Sequence, residues 1–306
     1  MKILSTTFAV LIFLVLSVIT VSAQDRTEYT GALLWKVSGN GLEKPSYILG
    51  THHLVHVRFV DSIPGLRDVM ENTEQTVGEL LMSDQAAMQA KVMEAAMMPA
   101  GESYKDMLSA EDYEKLDKGL RDVFSVGMEQ FGQMKPGMIS LAYTITLYTK
   151  LYPEFNPMSH EAIDAYVQRI AKDKGKPVLG LETVEDQVYA LFDAEPLKDQ
   201  AVALVCAVGQ GMSVKESLDK LNGYYYKRDL SRMYDLAFND PDDTCKASQK
   251  AQNAINKDRN DKWLLKLPQI MEGKPSLIAV GALHLAGEEG LLYKLAKMGY
   301  KVQAVK

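Results

Sequence analysis

The sequence predicts an α/β fold: a single mixed β-sheet flanked by helices, with a helical insertion. Three observations point there. Short β-rich apolar runs lie at Leu33–Val37, Ser46–Gly50, Gln75–Met82, Lys176–Leu181, Ser276–Val280 and Lys301–Val305. The stretches between them place apolar residues at helical spacing. No low-complexity linker divides the chain, so strands and helices are expected in one layered unit.

Leu33–Val37 and Ser46–Gly50 read as a hairpin, because Gly39-Asn40-Gly41 supplies the turn between them. Pro64–Asn72 reads as a short helix and Gln75–Met82 as a third strand. Gln85–Met98, Ala110–Val126 and Met138–Leu151 form a helical middle region, about residues 84–160. Ser159–Lys174 is a further helix, stopped by Gly175 as its C-cap. Lys176–Leu181 is a strand, and Thr183-Val184-Glu185-Asp186 opens the next helix with a capping pattern. Helices fill Leu197 to about Met271, with breaks near Gly209–Met212, Asn222-Gly223 and Asn239-Asp240-Pro241. The end is βαβ-like: strand Ser276–Val280, helix Glu288–Met298, strand Lys301–Val305.

Composition narrows the classes. Hydrophobic residues make up 47% of the 306, enough for a sizeable core. A net charge of −6 with no basic stripe excludes nucleic acid as the expected partner. Residues 1–23 read as a signal peptide: Lys2, an apolar run from Phe8 to Ile19, then Val21-Ser22-Ala23 before polar Gln24. The mature domain is therefore expected to span 24–306, exported to a periplasm or secreted, with membrane attachment only if that segment is left uncleaved. Cys206 and Cys245 are the two cysteines. They either pair in an oxidising compartment or leave Cys206 as a buried thiol in its apolar run.

One internal echo carries chemistry. Strand Ser46–Leu49 runs into Gly50-Thr51-His52-His53, and strand Ser276–Val280 runs into Gly281-Ala282-Leu283-His284. Ligands of α/β sheets bind beyond the carboxyl ends of strands. A Gly there lets the chain turn, and the His three residues later can enter the crevice. Two of the five histidines occupy this position, and neutral imidazole is the commonest transition-metal ligand. Glu79, inside an apolar strand, is either a solvent-facing carboxylate or a ligand or base forced inward. Glu182 is either a helix cap or a second such acid. Arg259 with Asn260 is either a solvated helix face or a pair that orients a substrate carboxylate or an oxyanion. Met82, Met88, Met93, Met97 and Met98 read as core filling or as an adaptable apolar surface. Gly-x-Ser-x-Gly, Walker A, dinucleotide and His-Glu-x-x-His motifs are absent.

Six segments together, LLWKVS, SYILGTHH, TVGEL, AIDAYVQRIAKDKGKPVLGLETVEDQ, DRNDKW and AVGALHLAGEEGLLYKLAKMGYKV, resemble the TraB/PrgY/GumN family, whose animal relatives are the Tiki proteases. The resemblance runs from about Leu33 to Val305. It implies an EreA/ChaN-like α/β core and metal-dependent peptide cleavage by an exported hydrolase acting on a peptide or protein. His53, Glu79 and His284 would hold one divalent ion, Mn²⁺, Co²⁺, Fe²⁺ or Zn²⁺. Glu182 or Asp164, the latter at the family's acidic position, would act as general base or brace a ligating His. Arg259 and Asn260 would stabilise the oxyanion. The competing reading is a non-catalytic haem- or metal-binding exported protein. In this chain His52 stands where the family is usually apolar. Successive extended residues face opposite ways, so one of His52 and His53 is expected in the site, and the motif assigns His53.

Overall fold

The computed structural model describes residues 28–82, 85–156 and 159–306. The expected signal peptide, 1–23, lies outside them. Among the described residues no helix is long and apolar enough to cross a membrane.

Six strands form one sheet among the described residues: β1 (Leu34–Ser38), β2 (Ser46–Thr51), β3 (Gln75–Gly78), β4 (Val178–Gly180), β5 (Ser276–Gly281) and β6 (Lys301–Ala304), in spatial order β4-β3-β5-β2-β1-β6. The neighbours β4, β3, β5 and β2 are mutually parallel, and β1 runs against both β2 and β6. The expected mixed α/β sheet is therefore present. β5 lies at its centre and is buried almost throughout, as a parallel strand covered on both faces must be. β6 alternates exposed and half-buried positions, the pattern of an edge strand. The terminal βαβ unit is looser than its sequence suggests. β6 runs parallel to β5, but β2 and β1 lie between them.

Several expected bounds shift for identifiable reasons. The expected strand Gln75–Met82 ends at Gly78. Gln168 donates to the Leu80 carbonyl (2.9 Å) and accepts from the Met82 N–H (3.1 Å), taking backbone groups that a longer strand would give to the ladder. A Cβ on Gly78 would meet Gln168 Nε2 at 2.2 Å, so only glycine lets that amide approach. The expected helix Ser159–Lys174 starts at Ile163. Asn222-Gly223 does not break its helix, which runs Lys215–Tyr226.

Two apolar clusters form. One packs the sheet, with Trp35, Ile48, Val77, Ile278 and Leu292 among its members. The other joins helices Ala110–Phe124, Pro136–Leu151 and Leu197–Gln210 through Leu116, Leu120, Ile139, Leu147 and Leu204. The helical layer thus includes a helix that follows β4 in sequence.

Cys206 and Cys245 are disulfide-bonded across 39 positions, so Cys206 is not the free buried thiol its apolar run suggests. Closing a loop of that length stabilises chiefly by restricting the unfolded chain. The double variant Cys206→Ser/Cys245→Ser is expected to lose about 2–4 kcal/mol in urea unfolding, and reductant should lower the wild-type Tm but not the variant's.

Candidate active site

Four neighbouring parallel strands each release one polar residue at the same edge of the sheet. In spatial order they are Glu182 beyond β4, Glu79 beyond β3, His284 beyond β5 and His53 beyond β2. The register makes this possible: Gly180 lies opposite Gly78, Gly78 opposite Ala279, and Gly281 opposite Thr51. The helices that precede β4 and β5 supply Asp164 and the Arg259-Asn260 pair.

The motif glycines work by close approach, not by turning. Neither Gly50 nor Gly281 has a positive φ. A Cβ on Gly50 would sit 3.2 Å from the Ala282 Cα and 3.1 Å from Leu285. One on Gly281 would sit 3.3 Å from the Glu79 carboxylate, to which the Gly281 N–H donates at 2.7 Å. The absent side chains let strand ends and carboxylate meet.

Arg259 organises the cluster. Its Nε donates to Glu182 (3.0 Å), its Nη2 to Glu182 (2.6 Å) and Glu79 (2.5 Å), and its Nη1 to His284 Nε2 (3.0 Å) and the Ile255 carbonyl (3.2 Å). These account for all five guanidinium donors. Trp263, one helical turn on, lies 4.8 Å under the guanidinium, donates its indole N–H to Glu182 (3.0 Å) and packs against His284 at 4.5 Å between ring centroids. Glu182 is therefore tied to Arg259, while the helix cap is made by Thr183 with Asp186.

The histidine tautomers follow from their partners. Arg259 can only donate, so His284 Nε2 accepts, and its Nδ1–H donates to Asn260 Oδ1 at 2.9 Å. Burial pushes His284 down to about 3, leaving it neutral at ordinary pH. Asn260 is fully buried, and its amide donates to the carbonyls of His284 (3.2 Å) and Glu289 (2.8 Å). It orients His284 instead of lining the cleft. His53 Nδ1 lies 3.3–3.4 Å from the buried Asp164 carboxylate, which raises the ring to about 9 although the side chain is 60% exposed. His160 Nε2 contacts the His53 carbonyl at 2.6 Å. His52 faces away, edge-on to Tyr225 at 5.2 Å, and its burial brings it down to about 4.

Glu79 Oε1 lies 4.0 Å from His284 Nε2. Burial opposes its ionisation, but His284, Arg259, His53 and the Gly281 N–H outweigh burial and bring Glu79 from 4.5 to about 2. Because His284 is neutral, the charges of Arg259 and His53 are the lasting causes. Among the described residues no three His, Cys, Asp or Glu side chains converge tightly enough to hold a metal, since Arg259 stands between Glu79 and His284. The expected trio is thus brought to one edge of the sheet but not to ligand distance. Donor chemistry does fit a divalent cation. Both motif histidines have Nδ1 engaged by an oxygen, the arrangement that orients ligating imidazoles, and a cation at His284 would have to displace Arg259 from its Nε2. Trp263 and Gln168 carry weight that the motif reading did not assign; their signals were the helical spacings Arg259–Trp263 and Asp164–Gln168.

Removing Arg259 leaves two buried carboxylates without a countercharge. Arg259→Ala is expected to cost about 3–5 kcal/mol in urea unfolding. The Glu79 contribution is complete above about pH 4.5 and is lost as pH falls toward 2. Glu79→Gln should therefore flatten the acid limb of stability against pH in that window.

The family model described as the TraB/PrgY/gumN family matches residues 33–304. The chain is similar to metalloprotease TIKI2 of Danio rerio, with 21% identity covering 92% of this chain and 62% of the relative. It thus spans less than two thirds of that relative's length. No solved structure matches. Matching over most of its length, with its two Gly-x-x-His segments side by side, the chain belongs to the TraB/PrgY/gumN family.

Proposed function

We propose that this protein is an exported metal-dependent hydrolase that cleaves peptide bonds. The observation that carries the reading is the paired histidine geometry. His53 and His284 leave adjacent parallel strands, each with Nδ1 held by an oxygen, and the ionised Glu79 lies beside His284. Similarity to a metalloprotease supports the same reading. His53, Glu79 and His284 would hold one Mn²⁺, Co²⁺, Fe²⁺ or Zn²⁺. A divalent ion there supplies Lewis acidity, polarising a carbonyl and acidifying water.

The chain's own groups supply the rest. Asp164 orients His53 and can take up a proton at its carboxylate. Asn260 fixes the His284 tautomer. Arg259 holds Glu182 and Glu79 in place, and with all five donors engaged it must release one to meet a developing oxyanion. Glu182, bound by Arg259 and Trp263, positions Arg259 more readily than it serves as a base. Residues 1–23 would direct export.

The test is removal and restoration of metal. Protein stripped with EDTA is expected to lose cleavage of a quenched peptide library and to regain it with one of the four ions. His284→Ala and His53→Ala should abolish both turnover and calorimetric metal binding, and His52→Ala should be much milder. Stoichiometric binding without cleavage, or a Soret band on haem titration, would instead indicate a carrier.

A further inference from the structure

Helix Ile163–Asp173 buries one stripe: Ile163, Asp164, Val167, Gln168 and Ala171. Ile163 and Val167 join the core that packs the sheet. Asp164 and Gln168 are polar and each only 6% exposed, and buried polar groups are costly unless they are bonded. Both are bonded to the sheet edge where the site lies. Asp164 holds His53 beyond β2. Gln168 acts one turn later, beyond β3. Its amide accepts from the Met82 N–H and donates to the Leu80 carbonyl, one acceptor and one donor, as a neighbouring strand would offer.

The segment Glu79–Met82 is gripped from the other side as well. The N–H groups of Leu181 and Glu182 both donate to the Glu79 carbonyl at 3.0 Å. Gly78 is bare where the Gln168 amide passes, since a Cβ there would meet Nε2 at 2.2 Å. The Glu79 backbone is thus fixed between the end of β4 and the glutamine, and its carboxylate reaches the Gly281 N–H at 2.7 Å. Because β3 and β2 flank β5, their ends lie about 10 Å apart, two strand spacings. Four residues of α-helix advance about 6 Å, and the reach of the Asp164 and Gln168 side chains covers the difference.

We propose that Gln168 is a positioning residue for Glu79, and that Asp164 and Gln168 together make this helix a strut that holds the His53 ring and the Glu79 carboxylate at a fixed span across β5. Its functional weight rests on the reading of His53 and Glu79 as metal ligands; what is added is the element that sets their separation. His284, which leaves β5 between them, has its own brace in Asn260. A set of ligands with one loose member loses affinity for its ion even when every ligand is present.

The experiment separates ligand placement from stability. Metal-free full-length protein is titrated calorimetrically with Mn²⁺, Co²⁺, Fe²⁺ or Zn²⁺, and hydrogen exchange of the Gly281 amide is followed by NMR against Ile278 in the same strand. Gln168→Ala is expected to weaken binding of the ion that the wild type takes roughly 10- to 100-fold, and to speed Gly281 exchange relative to Ile278. Val167→Ala, a neighbouring core position that should also lower Tm, is expected to change neither. Gly78→Ala should reproduce the Gln168→Ala losses in wild type and add little to them in the Gln168→Ala background, where the space is vacated. Asp164→Ala combined with Gln168→Ala should cost less affinity than the two losses summed, because either change alone frees the span. Wild-type affinity together with wild-type Gly281 protection in Gln168→Ala overturns the proposal and leaves the glutamine as the end of a strand. Strict additivity with Asp164→Ala overturns the strut. A wild type that binds none of the four ions, while Gln168→Ala still exposes the Gly281 amide, sustains the positioning of Glu79 and defeats the metal reading.

Discussion

A buried carboxylate is stable only where a countercharge stays with it, and in this protein that countercharge is the Arg259 guanidinium. Two acids from adjacent strands and one imidazole from a third converge on it. Trp263 beneath it packs against the guanidinium and donates to Glu182 Oε2, the oxygen that also accepts from Arg259 Nε. The strand ends are thereby held in a common frame. The same arrangement sets the charge states: Glu79 stays ionised because Arg259 is near, and His284 stays neutral because it is buried. A neutral imidazole beside an ionised carboxylate is a donor pair suited to a hard or borderline cation. The guanidinium occupies the positions such a cation would contest, so binding of a cation there would be thermodynamically coupled to the salt-bridge network.

The sheet explains why residues so far apart in sequence meet. Parallel strands carry their carboxyl ends to one edge, and crevices open there. The preceding helices Ile163–Asp173 and Asp258–Leu264 then bring Asp164 and Arg259 over that edge from opposite sides of the sequence gap. One helix does two jobs a turn apart, since Asp164 orients His53 while Gln168 ends β3 early. That early ending releases Glu79 from the strand's alternation and turns its carboxylate toward the Gly281 N–H.

Much of this was legible beforehand. The alternation of short β-rich runs with helical periods carries the sheet, and the repeated Gly-x-x-His carries the two histidines. The end of β3 is not legible, because apolar Leu80 and Leu81 follow past Gly78 and hydrophobicity does not report a glutamine amide arriving from 88 residues downstream. The disulfide was open for a similar reason: an apolar run around Cys206 looks the same whether or not Cys245 comes near. Asn260 and Glu182 could be assigned to the cleft by pattern, yet their depth beneath it depends on which helix face packs inward. The motif glycines make room for neighbours where the sequence predicts a turn.

β5 has a consequence in time as well as space. It is the only bridge in the described sheet between the β4-β3 pair and the β2-β1-β6 group. Before residues 276–281 emerge during synthesis, Glu182 and Glu79 belong to one strand pair and His53 to another, and no strand pairing registers the two against each other. Whatever chemistry the cleft performs is therefore withheld from the growing chain. The cleft is assembled only when β5, the last of its four strands in sequence, is inserted between β3 and β2.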